Sequence, residues 1–464
     1  MSKYLVFITV GLSLLIVSIS STTVAVAFPV IITKFNTSLV LAGWILSINQ
    51  LAATAIMPLA GKAGDIFGGK NCFMVSLGIF TLGSLLCAVS PNIEILIASR
   101  FIQSIGAGGF LPLVTGIVSE QFPNARQQAI GLISSFFPIG MIIGPNLGGW
   151  LVEAFGWESV FWINIPLGAA VFIVAIFLLK PGKRESGHMD LTGAGLLTGA
   201  LSALLIALGE IDSARQGASW LWPGLLFAAS IGLTILFVRH EGKDENPIIE
   251  LQLLKRKPFL AANIFNFLFG MVVIGIMSFI PLYATTVYGM STLQSGLVLT
   301  PRSVGMITAS TATSLTLMRW GYRWPMLIGT GIIVLSLLLI GAAAPVAGLL
   351  GIQINGIVVL VVVMLIIGLG MGMTAPAANN ACLDLMPFRV ATITGVRGMF
   401  RQAGGAVSVA ATSLLLNGTE DMTHGFMIVF LGMAAIMILL TPLIYAMPAG
   451  PGQPQDREAA VNKS

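Results

Sequence analysis

The run Gly140-Met141-Ile142-Ile143-Gly144-Pro145-Asn146-Leu147-Gly148-Gly149 decides how this chain is read. Gly140, Gly144 and Gly148 recur every fourth position inside an apolar stretch, so at helical pitch they share one face and let a neighbouring backbone approach closely. Pro145 removes one rung of the hydrogen-bond ladder and bends the helix. The expectation is a bent helix packed tightly on a neighbour, in surroundings apolar enough to tolerate the run.

The rest of the chain supplies those surroundings. Of 464 residues, 56% are hydrophobic and 9% charged, against about 45–50% and about 25% in soluble proteins. The fold class is all-α polytopic membrane protein. Fourteen apolar stretches each hold the roughly 20 residues that cross a bilayer: 5–28, 41–60, 72–90, 93–119, 128–152, 159–180, 191–210, 219–238, 259–287, 293–317, 325–345, 355–378, 391–416 and 424–447. The first is too long for a signal-peptide core and lacks a small-residue cleavage site, so it is read as span 1.

The net charge of +5 is a matter of topology rather than of nucleic-acid binding. With the N-terminus in the cytoplasm, 17 of the 23 Lys and Arg fall in cytoplasmic segments, two (Lys34, Arg215) outside and four (Arg100, Arg302, Arg397, Arg401) within spans. This bias places both termini in the cytoplasm of a cell-membrane protein, with the lipid bilayer as partner. Cys72, Cys87 and Cys382 have no zinc or redox spacing, and His188, His240 and His424 are scattered. No metal site, cofactor or catalytic cluster is expected, and a monomer is the expected state.

Two longer basic connections, Lys180 to Asp190 and Arg239 to Pro258, divide the chain. The expected organisation is residues 1–180 with six spans, 181–258 with an inserted helix pair, 259–448 with six more, and a disordered tail at 449–464 that is rich in Pro, Gly and charge.

Several motifs lie along this layout. Gly61, Asp65, Gly68 and Lys70 fit G-x-L-x-D-R-x-G-R-K after span 2, and Arg100, Gln103, Gly106 and Gly108 fit R-x-x-Q-G-x-G-A in span 4. Trp157, Asn164, Pro166 and Gly168 follow, then Asp190 with Gly193, Pro281-Leu282-Tyr283, Ser295-Gly296-Leu297 with Pro301-Arg302, and Arg401-Gln402-Ala403-Gly404-Gly405-Ala406. With the G-x-x-x-G-P-x-x-G-G run of span 5 (Gly140, Gly144, Pro145, Gly148, Gly149), the chain resembles the fourteen-span drug:proton antiporter branch of the major facilitator superfamily. The resemblance implies two six-helix halves plus two inserted helices, export of amphipathic small molecules, protons as coupling ion, and conformational roles for the loop and span 5 motifs.

Two departures stand out. Where that branch commonly carries an Asp in span 1, alignment on Pro29 places Ser20. Ile66 and Gly69 replace two cations of the loop. All 18 acids fall in loops or at span ends, leaving Glu120, Glu153, Glu210 and Asp212 as titrating groups for coupling.

The candidate site residues are therefore polar. Arg100, Arg302, Arg397 and Arg401 either line the transport path or hold structure, through helix carbonyls for the first two and through headgroups, Asp384 or Glu120 for the others. Arg302 is the deepest, about 13 Å into its span at 1.5 Å per residue. Asn49, Gln50, Gln103, Asn146, Asn263 and Asn266 read as cavity lining or as interhelical hydrogen bonds, and Phe136, Phe137, Met141, Phe265, Phe269 and Met271 as an apolar wall or as packing. Rival readings are an exporter of organic anions or lipids with an Arg-lined cavity, and a transport-dead sensor or scaffold.

Overall fold

A chain this apolar has one economical way to satisfy its backbone in lipid, which is to close every N–H and C=O within helices. All regular structure among the described residues is helical. The computed structural model describes residues 2–122, 129, 133, 136–179, 190–215, 219–243, 255–350, 356–385 and 390–450. The side chains of Asp65, Asp212 and Arg215, all of His188, and the tail beyond Gly450 lie outside the described residues.

The first group of helices comprises α1 (Ser2–Phe35), α2 (Leu39–Phe67), α3 (Gly69–Ala88), α4 (Ile93–Gln121), α5 (Phe136–Phe155), the short α6 (Ser159–Trp162) and α7 (Asn164–Leu178). Next come α8 (Leu191–Arg215) and α9 (Leu221–Glu241). The last group is α10 (Lys257–Tyr288), α11 (Thr292–Leu297), α12 (Leu299–Trp320), α13 (Arg323–Leu350), α14 (Gly356–Leu383), α15 (Val390–Asn417) and α16 (Met422–Ala446). Among the described residues, eleven helices are long and apolar enough to cross a membrane. Three others are less uniformly apolar or shorter: α12 and α15 carry arginines with many Ser, Thr and Gly, and the apolar part of α5 begins at Ile139.

Leu39 N at the start of α2 donates to Asn417 Oδ1 at the end of α15, and Gly398 near the start of α15 faces Met57 toward the end of α2, so Ser2 and Ala446 lie at one end of the bundle, here the terminal end, opposite the far end. Helix starts at the far end have polar caps: Ser38 Oγ accepts from Leu41 N, Asn92 Oδ1 from Ile95 N, and Asp421 Oδ1 from Thr423 N. Each satisfies one of the donors a helix N-terminus leaves free. Exposed aromatic residues mark both ends, with Trp150, Phe155, Trp162, Trp220 and Trp222 at the far end and Trp320, Trp324 and Tyr445 at the terminal end. Amphipathic rings favour the lipid–water interface.

Packing divides the helices unevenly. Within the first group α3 packs on α4, α2 on α4, and α1 on α5 and α7; within the last, α12 packs on α14, α13 on α14 and α16, and α10 on α15 and α16. The pair α8 and α9 packs on itself and reaches the remainder through α8 against α2 and α15. Across the two groups, α2 runs along α15, α1 touches α10, and α5 meets α11 and α12.

One expectation changes here. The stretch read as a loop from Gly61 to Lys70 is almost wholly helical, because α2 continues to Phe67 and α3 starts at Gly69. The break is Gly68 alone, at φ 91°, a conformation that a Cβ disfavours.

Candidate functional site

Arg100 lies in the middle of a buried polar chain that joins three helices. Its Nε donates to Ile45 O of α2 at 3.5 Å, and Nη1 donates to Gln103 Oε1 one turn on. Gln103 Nε2 donates to Ser84 Oγ of α3 at 2.6 Å, and Ser84 Oγ to Phe80 O at 2.8 Å. The guanidinium also lies 5.8 Å from the centre of the Phe161 ring, within cation–π reach. Beside it Ser104 Oγ donates to Asn49 Oδ1 at 2.9 Å. Glycines set the spacing, since a Cβ at Gly83 would strike the Gln103 backbone and one at Gly106 the backbone of Phe80 and Ser76. Arg100 and Gln103, both buried, are thus held by carbonyls, an amide and a hydroxyl rather than by a carboxylate.

The glycine face of α5 meets α1. A Cβ on Gly140 would lie 2.6 Å from Ser18 Cβ, one on Gly144 would collide with Thr22 Oγ1, and one on Gly148 would lie 2.9 Å from Thr23 Cα. Pro145 has no N–H, which leaves the carbonyl of Met141 without its helical donor. Ser303 Oγ of α12 donates to that carbonyl at 3.1 Å. Nearby, Asn146 Nδ2 donates to Thr300 Oγ1 at 2.8 Å, while Thr300 Oγ1 donates back to Asn146 Oδ1 at 3.1 Å. A Cβ on Gly149 would lie 2.7 Å from Leu293 Cα, and one on Gly296 would strike Pro145 O. Glu153 completes this seam: its Oε1 accepts from Leu293 N at 2.9 Å. One helix is therefore gripped on both sides, by α1 and by α11–α12, and its named contacts with α11–α12 lie between Met141 and Glu153, toward the far end.

Arg302 and Ser303 sit on this seam with opposite fates. Ser303 is bonded, while Arg302, 0% exposed, has one 3.5 Å contact from Nη2 to Ser303 Oγ and no partner for Nε or Nη1. A Cβ on Gly368 of α14 would strike the Arg302 carbonyl, so the two backbones touch. Arg397 and Arg401 are half-buried. The Arg401 guanidinium lies 5.6 Å from the Phe269 ring centre, and Arg397 Nε has no partner among the described residues. Neither is within ion-pair distance of Asp384 or Glu120; the single ion pair among the described residues is His240–Asp190. Asp384 instead accepts from Tyr322 OH at 2.6 Å.

Other expected site residues lie apart. Ser20 is buried against α7, where its Oγ accepts from Asn164 Nδ2 at 3.2 Å. Gln50 is half-buried with no side-chain bond among the described residues. Asn263 and Asn266 donate to carbonyls of their own helix, Phe259 O and Ala262 O. At the α2–α3 break, Lys70 Nζ donates to Ile176 O at 2.8 Å and a Cβ on Gly61 would lie 3.5 Å from Pro112 Cβ. Sequence reading missed Ser84, Thr300 and Ser303 as partners. Pro145 was a usable signal for Ser303, since it announces an unpaired carbonyl at Met141.

Long apolar helices with aromatic ends, arranged in two groups that meet along a glycine-bearing seam, define a multi-pass membrane transporter fold. The chain belongs to the Major Facilitator Superfamily, whose family model matches residues 10–409. That is a family of membrane transporters, not of enzymes. Multidrug transporter protein MdtP of Bacillus subtilis (strain 168) is 28% identical over 411 residues, 86% of this chain and 73% of that protein. The methylenomycin A resistance protein of Streptomyces coelicolor (strain ATCC BAA-471 / A3(2) / M145) is 29% identical over 423 residues, 90% of this chain and 86% of that one. Among solved structures, a POT family transporter in complex with 5-aminolevulinic acid superposes with a TM-score of 0.71, covering 96% of this chain and 95% of its own at 16% identity, a likeness of fold alone.

Proposed function

We propose that this chain is a secondary exporter of amphipathic small molecules that works by alternating access. It crosses the membrane fourteen times with both termini cytoplasmic, residues 1–180 and 259–448 forming the moving halves and 181–258 an inserted pair beside them. The observation that carries this reading is the seam of α5. Contacts between α5 and α11–α12 gather from Met141 to Glu153, toward the far end. We read this seam as the gate that closes the outer side, so the state it defines in this reading is inward-facing. Relatives named for multidrug transport and antibiotic resistance support an exporter of drug-like compounds. For proton coupling the sequence offers carboxylates at span ends, such as Glu153, rather than in mid-span.

The test is purified protein in liposomes, loaded with lipophilic cations, neutral amphiphiles or organic anions, with and without an imposed pH gradient. Accumulation above passive leak, lost in Gly144→Leu, supports the reading; gradient-independent fluxes equal to empty liposomes for all three classes overturn it.

A further inference from the structure

The four span arginines differ in what holds them, and the pair on α15 is the least satisfied that an incoming molecule can reach. Arg397 and Arg401 stand one helical turn apart and both are half-buried. They lie about 10 and about 16 Å into α15 at 1.5 Å per residue. Like charges at this spacing repel each other. Their surroundings join α10, α14 and α2: Arg401 lies over Phe269 of α10, which stacks on Phe265 at 5.6 Å and 15°, Cys382 of α14 is within electrostatic reach of Arg397, and Met57 of α2 faces Gly398 between the pair. Asn266 Nδ2 reaches Cys382 Sγ at 3.5 Å, tying α10 to α14 beside the pair. No carboxylate comes within 4 Å of either guanidinium among the described residues, and Arg397 Nε is buried without a partner. Two half-buried cations one turn apart, without a carboxylate among the described residues and with an aromatic platform beside one of them, lack one component, an anion with an apolar body.

We propose that Arg397 and Arg401 form a binding site, entered from the terminal end, for the carboxylate or phosphate head of a single-chain or lipid amphiphile, its hydrocarbon running along α10 at Phe269. The proposal takes from the transporter reading only the idea that such a molecule is cargo; binding itself needs no transport. An anion bridging the two guanidiniums cancels their repulsion. Arg302, fully buried with Nε and Nη1 unpartnered, lies deeper and offers a second cationic station once the seam moves.

The site is tested on the purified full-length protein in phosphatidylcholine nanodiscs by titrating dodecyl phosphate and following melting temperature, with dodecyltrimethylammonium as the cationic control. Wild type is expected to show a saturable rise with dodecyl phosphate and none with the cation, and Arg397→Gln/Arg401→Gln to bind at least tenfold more weakly. Nanodiscs containing phosphatidylglycerol separate the two sources. Apparent affinity for dodecyl phosphate that falls there identifies a lipid headgroup as occupant, and unchanged affinity identifies a free amphiphile. A second variant guards against a fold lost with the arginines. Cys382→Asp places a carboxylate within electrostatic reach of Arg397, and is expected to melt higher than wild type and to lose the dodecyl phosphate response. Equal affinity in wild type and both variants, or an equal response to the cation, overturns the site whether or not transport is found in liposomes.

Discussion

Arg100 and Arg302 occupy comparable depth with no acid nearby, yet their circumstances are opposite. Arg100 supplies the donor that Gln103 Oε1 needs, while Ile45 O keeps the helical N–H of Asn49, so Arg100→Met orphans one buried acceptor at about 1–3 kcal/mol. Arg302 satisfies almost nothing among the described residues, and a buried charge without a partner carries a desolvation penalty that an apolar side chain of like volume does not incur. The expected outcome is that Arg100→Met lowers the melting temperature while Arg302→Met raises it, and that both impair transport. A lower melting temperature for Arg302→Met would make its guanidinium structural. The Arg100–Gln103 bond was legible beforehand, because residues three apart share a helix face. Ser20–Asn164 was not, as 144 positions separate its partners and nothing local to either residue points to the other.

At the scale of the helix, the glycine run on α5 was readable because close approach needs small residues at helical pitch, a purely local requirement. Its partner was not, for any helix can lie against such a face; the structure puts Ser18, Thr22 and Thr23 of α1 there. Gly144→Leu forces atoms into the space of Thr22 and Ile19, and overpacking costs about 1–3 kcal/mol. Unchanged transport and melting temperature would refute the close contact. The α2–α3 turn was misjudged in extent because polar residues such as Lys62 and Asp65 read as loop, whereas the helix simply continues out of the apolar layer. The same ambiguity touches Asp190, which precedes α8. Burial pushes its carboxyl up, but bonds from Gly193 N, His240 and Glu241 outweigh that and hold it below its ordinary value. A depressed folded value means the contribution is complete above the unfolded pKa of about 3.9 and is lost as pH falls through the folded one. Wild type should therefore lose melting temperature on acidification below about pH 4 more steeply than Asp190→Asn, which starts lower at neutral pH. Parallel acid limbs in the two proteins would show that the α8–α9 tie does not depend on this charge.

Across the whole molecule, the all-helical architecture followed from apolar length, with eleven helices among the described residues long and apolar enough to cross a membrane, but the contact between the two helix groups did not, since it is built from pairs more than 100 residues apart. Asn146 with Thr300, Met141 with Ser303 and Glu153 with Leu293 place α5 against α11–α12 at the far end. If transport requires this seam to open, fixing it must stop transport. Asn146→Cys/Thr300→Cys replaces a reciprocal hydrogen bond with two thiols facing each other across the seam, in a chain whose own cysteines are buried (Cys87, Cys382) or bonded to a carbonyl (Cys72). Treating the double variant in liposomes with a short bis-methanethiosulfonate crosslinker is expected to abolish uptake, and a reductant to restore it, while each single variant stays active throughout. The complementary change, Glu153→Gln with Ser291→Ala, removes the charge and the hydroxyl that bonds it at the far end of the seam, and should speed labelling of a lone Ser303→Cys from the far side. A crosslinked double variant that still transports at the wild-type rate would mean that α5 and α12 move as one body, and that the opening through which substrate leaves lies elsewhere in the bundle.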